Sequence, residues 1–281
     1  MKHLTLCLTN TCDHDCLICP SSRADGKQKN FSQVRDMVRK AGPNLEHVTI
    51  TGGEPSLVDE ILVGITKYIH EVAPHALIQI LTNGGYFSQQ EYTKRFKPYL
   101  NRVYWEIPLH SHDAHIFNKI TRTEGSYDNA IVAIETLLES GATVDVRLVL
   151  NALNVPALQE TVCFICKKLT KLRAITFVAM ESSGQCRKNH DLVWLQYGVI
   201  TSQAYYPALE AVQHGFKVNF YNFPLCTLPH NLWSLARQSI SPHKTFFFSR
   251  CRDCTVRNKC GGVFAASRDP LNDEILPIMS R

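Results

Sequence analysis

The chain is predicted to be an α/β protein built on parallel strands, and three observations carry that expectation. Apolar strand-like runs alternate with amphipathic helical stretches from the amino terminus onward. The helical stretches are long enough to serve as crossovers between parallel strands. The densest glycine and cysteine signals fall just past strand runs, where parallel α/β architectures place their chemistry.

Strand-like runs occupy 3–9, 47–51, 77–82, 102–109, 143–150 and 174–180, and helical patterns occupy 32–41, 57–72, 87–97, 126–140 and 156–169. Six strands and five helices joined by right-handed crossovers wind into a (β/α)6 unit, an open or closed barrel. The punctuation agrees: Gly42-Pro43 and Gly141 stand at helix stops, and Ser126 or Asp128 can cap the helix before Ile131. Beyond about residue 185 the alternation weakens. A helix near 203–214 leads to a strand-like run at 216–221, then to Pro, Cys and aromatic residues without a clear period. The expected division is a core at 1–190 and a small cysteine-bearing extension at 191–281.

With 281 residues and 44% apolar content, the chain can bury a sizeable core. The formal charge of +5 is spread along the sequence, so no basic block or stripe argues for nucleic acid. Eleven cysteines would suggest disulfides in a secreted protein. No signal peptide precedes the first strand and no apolar run approaches a membrane span, so the expected setting is the reducing cytoplasm, where cysteines more often bind metal or catalyse.

Cys12, Cys16 and Cys19 form a C-x3-C-x2-C loop after the first strand. Three thiolates can hold three corners of a four-iron cube and leave one iron open to a ligand that is not protein. A zinc knuckle would use the same thiolates. It would not explain Gly52-Gly53-Glu54-Pro55 after the second strand. There the glycines let backbone approach a ligand closely, Glu54 orients the turn and Pro55 fixes its exit. A second set, Cys251, Cys254 and Cys260 in C-x2-C-x5-C with Cys226 upstream, makes a closed four-thiolate site suited to one iron–sulfur cluster or to zinc. Cys7 reads as strand packing and Cys163 with Cys166 as one helical core face, with a shared ligand site as the other reading, while Cys186 sits near the junction. His110, His112 and His115 with Asp113 read as loop structure, with a metal or acid–base site as the other reading.

The cysteine loop and the Gly-Gly-Glu-Pro turn together resemble the radical S-adenosylmethionine (SAM) superfamily, with Ile18 where many members have an aromatic residue before the third cysteine. The resemblance implies a partial (β/α)6 TIM barrel. It also implies a SAM-binding [4Fe–4S] cluster on Cys12, Cys16 and Cys19, and reductive cleavage of SAM to a hydrogen-abstracting 5′-deoxyadenosyl radical. It places Gly52, Gly53, Glu54 and Pro55 against SAM, and suggests Asn83, Ser111, Arg147, Asn151 and Glu181 as further SAM contacts. The run from Cys251 resembles the SPASM or twitch extensions of radical SAM peptide maturases, which implies one auxiliary [4Fe–4S] cluster on Cys226, Cys251, Cys254 and Cys260, with zinc as the alternative. Residues 221–264, with Ile107 to Ser111, are similar to the maturases of the His-Xaa-Ser peptide system. That similarity implies a ribosomally made precursor peptide as substrate, a second radical SAM protein as companion, a separate peptide-recognition partner and an electron donor. Two other functions stay open at this point: a radical SAM enzyme acting on a small molecule or nucleotide, and a noncatalytic zinc or iron–sulfur scaffold.

Overall fold

A computed structural model describes residues 3–21 and 26–279. Eight strands lie in one sheet in the order of the sequence, all neighbours parallel: β1 (His3–Cys7), β2 (His47–Thr51), β3 (Leu77–Leu81), β4 (Val103–Pro108), β5 (Thr143–Leu150), β6 (Ala174–Ala179), β7 (Lys217–Tyr221) and β8 (Ala236–Arg237). The sheet curls into a half-barrel. A separate antiparallel pair joins β9 (Thr245–Phe246) to β10 (Val263–Phe264). The helices are α1 (Phe31–Ala41), α2 (Asp59–Val72), α3 (Gln90–Lys94), α4 (Ala114–Thr121), α5 (Ser126–Glu139), α6 (Leu158–Lys168), α7 (Gly184–Lys188), α8 (His190–Val193) and α9 (Tyr197–Gln213).

The expected alternation is present, and the departures have local causes. Strand 3–9 ends at Cys7 because Thr9 bridges to Gln28 and Lys29 N–H donates to the Leu8 carbonyl, which turns the chain off the sheet. The helix expected at 87–97 breaks into α3 between two 3₁₀ turns; Pro98 lies in the second and cannot continue an α-helix. Helix α4 occupies positions to which the sequence pattern assigned no helix, capped by Asp113, whose Oδ1 accepts from the N–H groups of His115 and Ile116. Neither Ser126 nor Asp128 caps α5. The helix follows Gly125 in the left-handed region, and Asn118 Oδ1, reaching from α4, accepts the Tyr127 N–H at 3.0 Å.

The sheet does not stop near residue 190. Helix α9 returns the chain so that β7 pairs with β6 over five registered residues, and β8 adds to its far side. Residues 190 and 191 therefore fall between neighbouring strands of one sheet. The apolar faces of these strands and the helices outside them form the main core, including Trp105, Phe87, Phe96, Phe177 and Phe220, all fully buried. This packing fixes the strand ends that carry the polar residues described next.

Candidate active site

The cysteine loop is seated by backbone on both sides. Gly53 N–H donates to the Thr9 carbonyl at 2.6 Å and Glu54 N–H to the Thr11 carbonyl at 2.8 Å. A Cβ on Gly53 would stand 2.0 Å from the Thr11 carbonyl oxygen, and one on Gly52 would stand 2.6 Å from that of Thr9. The close approach that demands glycine here is thus that of the cysteine loop itself, where the sequence suggested a ligand. From the other side, Asp15 N–H and Leu17 N–H donate to the Thr121 and Ile120 carbonyls of α4. The Cys19 carbonyl receives the Gln185 and Cys186 N–H groups of α7, and Gly184, at φ +52°, lies too close to Pro20 for any Cβ.

Glu54 ties three turns together. Its Oε1 accepts from Ser56 N–H, the Ser56 hydroxyl and the Thr82 hydroxyl at 2.9, 2.6 and 2.6 Å, and its Oε2 accepts Asn83 N–H at 2.6 Å. Burial pushes this carboxyl above its ordinary range, and the four donors oppose that shift. Asn83 continues the network, donating through Nδ2 to Asp13 Oδ1 at 2.6 Å, so the loop after β3 holds the cysteine loop directly.

These turns surround a cavity of about 400 Å³ at the carboxyl ends of the strands. That volume lies within the range of about 300–1,000 Å³ usual for cofactor sites. Cys12, Cys16, Cys19, Gly52, Gly53, Glu54, Asn83, Arg147 and Glu181 all line it. Pro55, Ser111 and Asn151 are absent from its lining. Pro55 starts the 3₁₀ turn after Glu54, the buried Ser111 hydroxyl accepts Asp113 N–H at 3.1 Å, and Asn151 is closed on itself, donating to the Val149 carbonyl and accepting Leu153 N–H. Of the histidines after β4, His110 lines the cavity, while His112 bonds the Thr161 hydroxyl and the His115 N–H serves the α4 cap.

The sequence reading did not single out Glu106, His14, Asn222 or Phe264, and it read His110 only as part of a loop. Glu106 lines the cavity from β4 and is 2% exposed. Thr49 donates to Gln79 Oε1 at 2.7 Å, Gln79 Nε2 donates to Glu106 Oε2 at 2.8 Å, and Arg147 Nη1 stands 3.3 Å from the same oxygen. A carboxylate inside an otherwise apolar strand is the signal that could have found it. Two buried polar atoms of cavity-lining residues, His110 Nδ1 and Arg147 Nε, have no hydrogen-bond partner among the described residues. Burial drives His110 down to about 3, so it is a neutral imidazole at physiological pH.

Burial is the main cause that raises the Glu106 carboxyl, with Arg147 opposing it. The folded state therefore holds this proton more tightly than the unfolded chain. The resulting stability is complete below the ordinary carboxylate range and is lost as the pH rises through the elevated folded value. Glu106→Gln removes that loss. Unfolding curves between pH 4 and 8 are expected to show the wild type losing stability relative to the variant as pH rises; a constant difference would contradict the assignment.

The extension gathers the other four cysteines. Cys226, Cys251, Cys254 and Cys260 line one small cavity with Phe246, Phe247, Phe248 and Ile275. Backbone N–H groups point at two of the sulfurs: Leu225 and Gly262 at Cys260 Sγ, and Ile278 at Cys254 Sγ, each at 3.4 Å. Burial pushes the Cys226 thiol up to about 11 and raises that of Cys251, so a bound cation would favour the thiolate form of both. The tail contributes through Ile275, Leu276 and Pro277 on the cavity wall, while residues 280 and 281 lie outside the described residues. Of the remaining cysteines, Cys7 is half-buried at the edge strand and Cys186 is fully buried beside Met180. Cys166 lies with Glu210 and His214 in the one group of three metal-type ligand atoms within 4.8 Å of one another among the described residues.

The family model for the radical SAM superfamily matches residues 6–165. Among curated proteins none matches. Solved structures with a similar fold include SuiB of Streptococcus suis bound to its precursor peptide SuiA, at TM-score 0.64 and 16% identity over 78% of this chain and 48% of that one. They include anSMEcpe with bound AdoMet and the Cp18Cys peptide, at TM-score 0.57 and 12% identity over 78% and 62%. They also include HydG, a maturase of the [FeFe]-hydrogenase, at TM-score 0.59 and 12% identity over 78% and 51%. The chain thus spans about half the length of SuiB. At these identities the likeness concerns the fold.

Proposed function

This chain belongs to the radical SAM superfamily, and from that premise we propose that it is a peptide maturase, one that cleaves SAM reductively and modifies a ribosomally made peptide after hydrogen abstraction. The observation that carries the reading is the pairing of two cysteine sets, each on its own cavity. Cys12, Cys16 and Cys19 share a cavity with the Glu54 turn, and four further thiols line a second one in the extension. The solved folds bound to peptides, SuiB with SuiA and anSMEcpe with Cp18Cys, support the substrate class. Among the described residues lining the larger cavity, Arg147 is the one arginine or lysine, and it is engaged with Glu106. A phosphate-bearing nucleotide would call for more positive charge than that.

The larger cavity fits a [4Fe–4S] cluster with SAM. It has the volume and three thiols on its lining, with the polar residues His110 and Arg147 beside them. When bound, that pair supplies an electron and a hydrogen-abstracting carbon radical, chemistry that belongs to the cofactor. The chain's own part is positional. Cys12, Cys16 and Cys19 would hold three irons, Glu54 and Asn83 lock the turns against the loop, and Arg147 and Glu181, each already in an ion pair, would face the cofactor's polar groups. Met180, Val178 and Phe117 give the cavity apolar walls that exclude water.

For the second site we propose one auxiliary [4Fe–4S] cluster. Tetrahedral zinc at about 2.3 Å from each sulfur would bring the sulfurs to about 3.8 Å from one another. The cavity these four cysteines line is small, about 20 Å³, so zinc stays the alternative occupant. A closed cluster with backbone N–H groups on its sulfurs suits electron relay or structure. A precursor peptide, an electron donor, a second radical SAM protein and a separate peptide-recognition partner complete the proposed system. The setting is a reducing cytoplasm; among the described residues no helix is long and apolar enough to cross a membrane.

The experiment is anaerobic incubation of the reconstituted protein with SAM, reductant and candidate precursor peptides, read by peptide mass. The expected result is a SAM-dependent mass change in the peptide. Deoxyadenosine formed at full rate with a small molecule modified in place of every peptide would overturn the substrate class.

A further inference from the structure

The antiparallel pair β9–β10 touches both sites. Phe264, on β10, lines the larger cavity, and Phe246, on β9, lines the cysteine cavity of the extension. Just before β9, Lys244 Nζ reaches Glu181 at 3.0 and 3.2 Å, and the same ammonium lies 5.9 Å from the centre of the Phe264 ring. Glu181 itself lines the larger cavity. After β10, the Ser267 hydroxyl accepts the Ser182 N–H at 2.8 Å and the Ala266 carbonyl accepts from Arg187 Nη2 at 3.2 Å. Three ties thus fasten this ribbon to the segment that follows β6.

The ribbon cannot hold itself. Each strand has two residues, and an isolated two-stranded hairpin is marginal even at full length. The segment joining β9 to β10 carries Cys251, Cys254 and Cys260, and Cys226, from the turn after β7, lines the same cavity. A metal centre on these four thiolates would close that loop, and its binding free energy becomes folding free energy for the ribbon.

We propose that β9 and β10 form a closing wall of the SAM cavity, that Lys244 is a positioning residue acting through Glu181, and that the metal centre of the extension keeps this wall seated. The proposal rests on the reading of Cys226, Cys251, Cys254 and Cys260 as a metal site. Lys244 holds Glu181 in one rotamer on the cavity wall, and Phe264 covers the ligand beside it. Emptying the second site then weakens SAM binding without touching any residue that contacts SAM.

The test measures equilibrium SAM binding to anaerobically reconstituted protein, alongside metal content and the electron paramagnetic resonance change that SAM causes in the first cluster. Metal analysis comes before any SAM is added; a wild type holding no metal on the extension cysteines would overturn the underlying reading at that step. Lys244→Met, at an exposed position, is expected to keep both metal centres and bind SAM about tenfold more weakly, about 1.4 kcal/mol, with Lys244→Arg restoring most of the affinity. Cys254→Ser is expected to lose the second metal, keep the first cluster and weaken SAM binding at least as much. Adding Lys244→Met to it should cost little more, because both act on one wall. Wild-type SAM affinity in Lys244→Met, or in a Cys254→Ser protein shown to lack only the second metal, would overturn the proposal.

Discussion

Gly53→Ala is expected to purify without the first cluster. The new Cβ would lie 2.0 Å from the Thr11 carbonyl oxygen and 2.4 Å from its carbon, both backbone atoms of the cysteine loop. No side-chain rotation relieves such a contact, so the loop must leave the turn. Leaving breaks the hydrogen bonds from Gly53 and Glu54 N–H to the loop, and it separates Cys12 from the frame that aligns it with Cys16 and Cys19. The variant should hold about four fewer irons per chain than the wild type. It should keep the metal on the extension cysteines, which distinguishes a local displacement from global unfolding. Full iron content in Gly53→Ala would show that the loop is not seated as described.

Cys16→Ala is the second change of large effect. Cys16 lies between Asp15 and Leu17, whose N–H groups are held by α4, and it lines the cavity with its two partners. Two thiolates cannot keep a cube in place while leaving one iron open. SAM cleavage to deoxyadenosine is expected to fall at least about a thousandfold, the equivalent of about 4 kcal/mol of lost transition-state stabilisation. Cys7→Ala is the control. Its thiol is half-buried and donates to the Thr9 carbonyl and Asn10 Oδ1, each at 3.6 Å, so cleavage should persist. Equal loss in both variants would point to instability in place of ligation.

The fold was legible because buried parallel strands write themselves as near-continuous apolar runs separated by helices. β5 at Thr143–Leu150 and β2 at His47–Thr51 lie where the apolar runs predict them. The two-residue β8 was not legible, since two residues carry no period. The cysteine loop and the Gly-Gly-Glu-Pro turn were legible as motifs, but the purpose of the glycines was not. Which backbone approaches Gly53 is a tertiary fact, and sequence spacing does not contain it.

The same limit appears at the end of β4. The sequence singled out Ser111, yet His110 faces the cavity while the Ser111 hydroxyl accepts an N–H of its own loop. Neighbouring residues near a strand end point to opposite sides, and one position of register decides which is presented. Glu106 was hidden for another reason: a single acid within an apolar strand reads as an edge residue until both faces are known to be covered. Asn222 and Phe264 reach the cavity from the carboxyl-terminal region, more than a hundred residues from the cysteine loop, and only the folded chain joins them to it.

In the proposed ligation, Cys12, Cys16 and Cys19 leave one iron of a cluster free to bind SAM. Electron–nuclear double resonance on the reduced protein, with SAM labelled at its methionine amino nitrogen and carboxylate oxygen, tests it most directly. Hyperfine coupling of both labels to the cluster is expected in the wild type, and its disappearance in Cys16→Ala. Zinc on the three thiolates, or a reduced cluster that shows no coupling to labelled SAM, would contradict it.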